Sequence, residues 1–200
     1  MQSCSAIILA GGRATRLGGI NKAVLEVGGQ RLLDRVLDAL RPLAEQILVV
    51  GHLAEGLHIP GVELIPDPHP RASTLVALHT GLTAARNPVA LVVGCDMPFL
   101  STALLERIAR LSEGHDLAVP RVGAYLEALH AAYRRSCLPT MERAIQRQRL
   151  KIIDFYPEVN TREVTEAEMR DLDPDLLSFL NVNTPADLER ARAIAGRAQG

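Results

Sequence analysis

Four apolar runs, at residues 6–9, 47–50, 62–65 and 89–93, alternate with segments whose leucines recur at helical spacing, and this alternation narrows the possible folds most. A short run that is apolar without a polar alternation reads as a strand covered on both faces. Between these runs stand Leu32, Leu33, Val36, Leu37 and Leu40, then Leu75, Leu78, Leu82 and Ala85, then Leu104, Leu105, Ile108 and Leu111 behind a Ser101 cap. Strands that alternate with helices make crossover units, and crossovers make parallel sheets. The expected fold class is therefore α/β: a three-layer αβα sandwich, Rossmann-like, with a mostly parallel sheet.

The second half is less regular. Strands are expected near 117–120 and 127–133, followed by a helix containing Leu138, Met141 and Ile145. Thr184-Pro185-Ala186-Asp187 combines a hydroxyl cap, proline at the first helical position and a carboxylate three residues after the cap, so a last helix is expected to start there. No repeat, linker or low-complexity stretch divides the chain, and 200 residues with 48% hydrophobic and 22% charged content fit one domain spanning 1–200.

The first apolar run leads into Leu9-Ala-Gly-Gly-Arg-Ala-Thr-Arg-Leu-Gly-Gly-Ile-Asn-Lys22, which gathers four glycines, two arginines and a lysine. Gly11, Gly12, Gly18 and Gly19 allow backbone N–H groups to approach an anion closely, while Arg16 and Lys22 add formal charge. Arg13 is a weaker candidate for the same work. Lys22 is unusual, because of 22 basic residues it and Lys151 are the two that are not arginine. A lysine in that loop points to a compact charge directed at one phosphate oxygen. The expected ligand is a nucleoside triphosphate. The spacing is not that of a P-loop, since Ala23 follows the lysine where a magnesium-binding hydroxyl belongs, and no G-x-G-x-x-G occurs between Gly11 and Gly19.

Asp96 ends the fourth apolar run in Val92-Val93-Gly94-Cys95-Asp96-Met97-Pro98, at the strand edge where open parallel sheets bind ligands. It is placed to hold Mg²⁺ against phosphates, since that ion takes one or two carboxylates together with phosphate oxygens. The bland alternative is a cap for the helix that follows. Asp67, between Pro66 and Pro68 after the third run, reads equally as a nucleotide or water orienter and as a turn residue. The six histidines show no metal-ligand or triad pattern, and Cys4, Cys95 and Cys137 show no C-x-x-C spacing, so they read as buried or free thiols. A formal net charge of −1, scattered basic residues and 3% aromatic content give no face for nucleic acid. No eighteen apolar residues run together, and the N-terminus has no basic leader, so the protein is expected to be cytoplasmic and free of membrane segments.

The glycine loop, the Cys-Asp-Met-Pro segment, Leu129-His130-Ala-Ala-Tyr133-Arg134 and Phe179-Leu-Asn-Val-Asn-Thr-Pro-Ala-Asp-Leu188 together resemble the molybdenum cofactor guanylyltransferase family, over most of the chain. The glycine loop is common to many nucleotidyltransferases, and specificity comes from the combination. The resemblance implies a Mg²⁺-dependent nucleotidyltransferase that moves GMP from GTP to the terminal phosphate of molybdopterin, releases pyrophosphate and forms the guanine dinucleotide cofactor. It also implies roles. Leu9, Ala10, Gly11 and Gly12 contact the nucleotide, with Leu9, Ala10 and Gly11 doing so through the backbone. Lys22 and Asp67 belong to its site. Asp96 binds metal and nucleotide, and Asn181 and Asn183 face phosphates or the pterin acceptor. Arg16, Lys22 and Asp96 form the catalytic set. GTP and molybdopterin are the implied small-molecule substrates, with transient contacts to proteins that deliver and accept the cofactor.

Three departures fall in recognition segments and leave the phosphate chemistry intact. Gly51 stands where relatives often carry asparagine, Arg71-Ala-Ser-Thr-Leu75 replaces a Gly-Pro-Leu-Ala-Gly-like stretch, and Asn21 stands where aspartate commonly precedes the lysine. Two other readings are weighed against the first: a related nucleotidyltransferase using CTP or a sugar-phosphate acceptor, and a catalytically silent nucleotide-binding protein.

Overall fold

The computed structural model of the chain describes residues 3–10, 22–51, 59–66 and 73–197. In chain order the elements are β1 (Cys4–Ala10), β2 (Glu26–Val27), β3 (Gln30–Arg31), α1 (Leu32–Leu40), β4 (Ala44–Gly51), β5 (Val62–Ile65), α2 (Thr74–Ala84), β6 (Val89–Gly94) and α3 (Thr102–Leu111). There follow β7 (Leu117–Val122), β8 (Tyr125–Leu126), β9 (His130–Arg134), α4 (Leu138–Gln146), β10 (Thr161–Val164) and α5 (Pro185–Arg197).

The main sheet runs β10-β7-β9-β6-β1-β4-β5, and β8 pairs off it with β7. β6, β1, β4 and β5 are parallel, as the apolar runs predict. β1 and β6 are buried throughout their pairing because helices cover both faces: Ala6, Ile8, Leu91 and Val93 lie with α1 and α3, whereas Ile7, Leu9, Ala90 and Val92 lie with α2 and α4. This alternation of alternate side chains into two separate cores is what a three-layer αβα sandwich requires. Helix α2 comes so close to the sheet that a Cβ added at Gly81 would stand 2.7 Å from Ile7 Cγ2.

The structure corrects two details. The run at 62–65 was expected to be a buried strand, but β5 is the sheet edge. Glu63 there meets Arg86 at 2.7 Å, and Leu64 is half exposed. An edge strand has one solvated side, and a charged residue in it discourages further pairing. The strand expected at 127–133 begins only at His130, because residues 127–130 form a turn closed by the His130 N–H to the Glu127 carbonyl. β9 then runs antiparallel between β6 and β7, which leaves β7 pointing the same way as β6. The C-terminal ends of β1, β4, β6 and β7 therefore share one edge.

Caps appear where hydroxyls precede helices. Ser101 Oγ accepts the Leu104 N–H at 3.2 Å, and Thr184 and Asp187 bond each other reciprocally at the start of α5. The three cysteines are buried and free. No described helix is long and apolar enough to cross a membrane. Of the six histidines, His52, His58 and His69 lie outside the described residues.

Candidate active site

Residues from three distant parts of the chain converge at the shared strand edge. Lys22 opens a 3-10 turn, Lys22–Val24, on the far side of the glycine loop. Its Nζ stands 2.8 Å from Asp96 Oδ2 and 2.6 Å from Asn183 Oδ1. The side chains of Lys22 and Asp96 are 17% and 18% exposed, so the pair is shielded but not closed off from solvent. Each of the three is separated from the next by more than seventy residues, so only the fold makes them one group.

Backbone bonds hold Asp96 in place. The Gly94 N–H donates to the Leu129 carbonyl and the Cys95 N–H to the Leu9 carbonyl, both at 3.2 Å, which ties the end of β6 to its two neighbours. The Val182 N–H donates to the Asp96 carbonyl at 2.9 Å. Asp96 Oδ1 lies against Gly94, where an added Cβ would be 2.6 Å away. A Cβ at 94 would thus displace the carboxylate, and no positive φ calls for glycine there. Beyond Asp96, Arg35 of α1 donates to the Pro98 carbonyl at 2.8 Å and lies 5.3 Å from the Phe99 ring centroid. Burial and the Asp96 charge push the neighbouring Cys95 thiol up to about 12, so it stays protonated and apolar in behaviour.

The segment at 177–184 acts as a strap over this loop. Ser178 Oγ donates to the Phe99 carbonyl and accepts the Ser101 N–H, while the Asp173 carboxylate accepts the N–H groups of Leu177 and Ser178 at 2.9 Å each. The Asp187 carboxylate accepts the Asn183 N–H at 3.0 Å, fixing the backbone from which Asn183 reaches Lys22. Under the strap the Phe179 ring lies 4.7 Å from that of His130. His130 is fully buried, its ring nitrogens without a hydrogen bond of ordinary geometry among the described residues, and burial, partly opposed by the Asp173 charge and a weaker contact with the Ser178 backbone, lowers its pKa to about 4. It is neutral at physiological pH and packs as an aromatic ring.

Of the residues expected in the site, Lys22, Asp96 and Asn183 come together. Leu9 and Ala10 end β1 beside them, the Leu9 carbonyl already engaged by Cys95. Asn181 stays close on the strap and donates to the Phe179 carbonyl at 3.2 Å. Gly11, Gly12, Arg13, Arg16, Gly18, Gly19 and Asp67 lie outside the described residues, as do Asn21 and Arg71. Gly51, the departure after β4, has φ of 129°, a backbone conformation that residues with a Cβ rarely adopt. Its glycine therefore has a local backbone reason. Sequence reasoning missed Gly94 and Ser178, and read Asp187 as a helix cap, which it is, without its hold on Asn183. The Ser-Phe-Leu-Asn-Val-Asn spacing carried no signal that Ser178 would bridge to the loop after β6.

The donor set fits Mg²⁺. One accessible carboxylate at a strand edge is what that ion needs when phosphates complete its shell, and no group of three potential metal-binding side chains occurs among the described residues.

Residues 6–159 match the family described as the MobA-like NTP transferase domain. The chain belongs to the MobA-like NTP transferase family. A relative from Desulfosudis oleivorans, named molybdenum cofactor guanylyltransferase, is 36% identical over 200 residues, covering 98% of this chain and 99% of the relative. The crystal structure of molybdopterin-guanine dinucleotide biosynthesis protein A from Archaeoglobus fulgidus superposes with a TM-score of 0.84 at 30% identity, covering 96% of this chain and 99% of that one. The 2-C-methyl-D-erythritol 4-phosphate cytidylyltransferase of Thermus thermophilus shares the fold at a TM-score of 0.72 and 23% identity, covering 98% of this chain and 100% of that one. As a member of the family, the chain is a nucleotidyltransferase of mixed α/β fold with a mostly parallel sheet.

Proposed function

We propose that this MobA-like transferase moves GMP from GTP to the terminal phosphate of molybdopterin and releases pyrophosphate. The observation that carries the reading is the end-to-end similarity to relatives named for that activity. The meeting of Lys22, Asp96 and Asn183 at one strand edge gives it a chemical centre.

An acceptor oxygen bonds to the α-phosphorus while the bond from that phosphorus to the bridging oxygen breaks, and pyrophosphate leaves with the electron pair. The acceptor needs no base, since a phosphate monoester with a second pKa of about 6 is mostly dianionic at neutral pH. What the protein must supply is alignment of two anions and a counter-charge for the leaving group. Lys22 provides a point charge held in direction by Asp96 and Asn183. Asp96 is the residue that would hold Mg²⁺; when bound, that ion neutralises charge on the triphosphate. Arg16 would add a cation from the glycine loop. Gly11, Gly12 and the end of β1 would take the phosphates, Asp67 would orient the nucleotide, and Asn181 would serve the acceptor from the strap. Proteins that deliver and accept the cofactor would dock only transiently.

The test is pyrophosphate release with molybdopterin as acceptor and GTP, CTP or ATP as donor, with Mg²⁺ present and then chelated. Turnover with GTP that chelation removes supports the reading. A preference for CTP transfers the assignment to the cytidylyl branch of the fold, and nucleotide binding without turnover makes the protein a binder.

A further inference from the structure

The half of the edge on the β9 and β7 side of Asp96 carries an exposed ring and a half-buried carboxyl that the phosphate chemistry does not use. β7 runs in the same direction as β6 and turns back at Gly123, whose φ is 56°, into β8. The chain then crosses to β9 at the shared edge. Leu129 accepts the Gly94 N–H, and His130 pairs with Val93, three residues before Asp96. The turn closed by the His130 N–H and the Glu127 carbonyl keeps the Glu127 Cα within about 7 Å of the His130 Cα.

Register fixes the face. Tyr125 stands opposite Val122, and Glu127 follows two residues later, its N–H bonded to the Pro120 carbonyl. Val122 packs into the same core as Val93 and Phe179, so Tyr125 and Glu127 lie on the face along which the strap runs. Tyr125 is 76% exposed, whereas the other two tyrosines, Tyr133 and Tyr156, are buried and bonded hydroxyl to hydroxyl. The Glu127 carboxyl is half-buried without a hydrogen-bond or ion-pair partner among the described residues, and burial raises its pKa. A desolvated carboxylate next to an exposed aromatic ring matches a flat heterocycle with two adjacent N–H donors on one edge.

Resting on the guanylyltransferase reading, we infer that Tyr125 and Glu127 form the acceptor's pterin subsite, Tyr125 stacking on the ring face and Glu127 accepting from the ring N3–H and 2-amino group. Guanine presents the same pair of donors. Position favours the pterin: β1, whose end leads in sequence into the glycine loop, pairs with β6 on the side away from β9 and β7, and Asp96, which follows β6, separates the two sides. An acceptor in line with the leaving pyrophosphate enters from that opposite side.

Kinetics, GTP binding, thermal stability and a pterin titration test the assignment in the full chain. Tyr125→Ala and Glu127→Gln are each expected to raise the KM for molybdopterin about tenfold or more, with kcat, the dissociation constant for GTP and the thermal midpoint little changed. Direct fluorescence titration should show wild type binding free pterin about tenfold better than lumazine, which has an oxygen in place of the 2-amino group. Glu127→Gln should erase that preference, while Tyr125→Ala weakens both ligands alike. Equal binding of pterin and lumazine by wild type overturns the subsite, and so does a Glu127→Gln variant that weakens GTP instead, because the carboxylate would then read guanine. Absence of turnover in wild type refutes the guanylyltransferase reading, while the pterin and lumazine titration still decides the subsite.

Discussion

Gly94→Ala isolates the geometry of the site from its composition, because it removes no functional group. A Cβ at 94 would lie 2.6 Å from Asp96 Oδ1, well inside ordinary contact, while Met97 Cγ and Sδ, the next nearest atoms, are at 3.6 Å and need not move. The carboxylate end must therefore swing away by roughly half an ångström to one ångström, which breaks or lengthens its 2.8 Å bond to Lys22. Moving the end of one side chain costs little stability, so the thermal midpoint should fall by no more than about 4 °C. Misplacement on that scale at a reacting centre costs about 10²-fold, and kcat/KM should drop accordingly. Pyrophosphate release measures the loss, and a double-mutant cycle with Asp96→Ala identifies its cause: once the clashing carboxylate is gone, Gly94→Ala should add little further loss. Wild-type kcat/KM in Gly94→Ala, or additive losses in the cycle, would refute the reasoning that Gly94 acts by seating Asp96.

Lys22→Ala should lower turnover by about 10²-fold or more while the fold persists, and Lys22→Arg should also be impaired; near-normal turnover in either rejects a point charge at that position. Gly81→Ala should lower the thermal midpoint by a few degrees, because overpacking against Ile7 Cγ2 at 2.7 Å and Val50 Cγ2 at 3.0 Å outweighs the gain in helix propensity of about 1 kcal/mol; a raised midpoint would show that the interface relaxes. The folded pKa of His130, about 4, lies below its unfolded value of about 6.5, so the unfolded chain binds more protons between them and stability falls as pH drops through that window, by up to about 3 kcal/mol. His130→Phe should flatten the midpoint-versus-pH curve between pH 6.5 and 4, and an unchanged slope would place the acid sensitivity elsewhere.

What could be read from the sequence follows from which physical signals are local. α1 and α3 announced themselves by apolar spacing, and β1, β4 and β6 by runs apolar on both faces, because burial on two sides erases alternation. Apolarity says nothing of direction, so the antiparallel insertion of β9 between β6 and β7 was not legible. Nor was β8, two residues long, or the edge position of β5, where Glu63 was a charge in an otherwise apolar run. In the site, Asp96 was legible because a carboxylate ending a buried strand has few other reasons to be there. Gly94 was not, since its value lies in a contact two residues away that only coordinates show. Tyr125 had a signal that went unread: in a chain with 3% aromatic residues, a tyrosine directly after a Gly-Ala turn is out of place in a core.

The contrast between Lys22 and the arginines elsewhere now has a geometric basis. Where this chain uses arginine, as at Arg121 against Glu163, two nitrogens of the planar fork meet the two oxygens of one carboxylate, at 2.6 and 2.7 Å. At the strand edge the two acceptors belong to different residues on different elements, Asp96 after β6 and Asn183 before α5, and both converge on one nitrogen. A guanidinium would have to divide its donors between them and lie flat across the opening, whereas an ammonium satisfies both with two of its three protons. No other described residue takes the third, which leaves it for a ligand. Asp96 and Asn183 thus hold the charge in a fixed direction, which is the preorganisation that the proposed stabilisation of a leaving pyrophosphate demands.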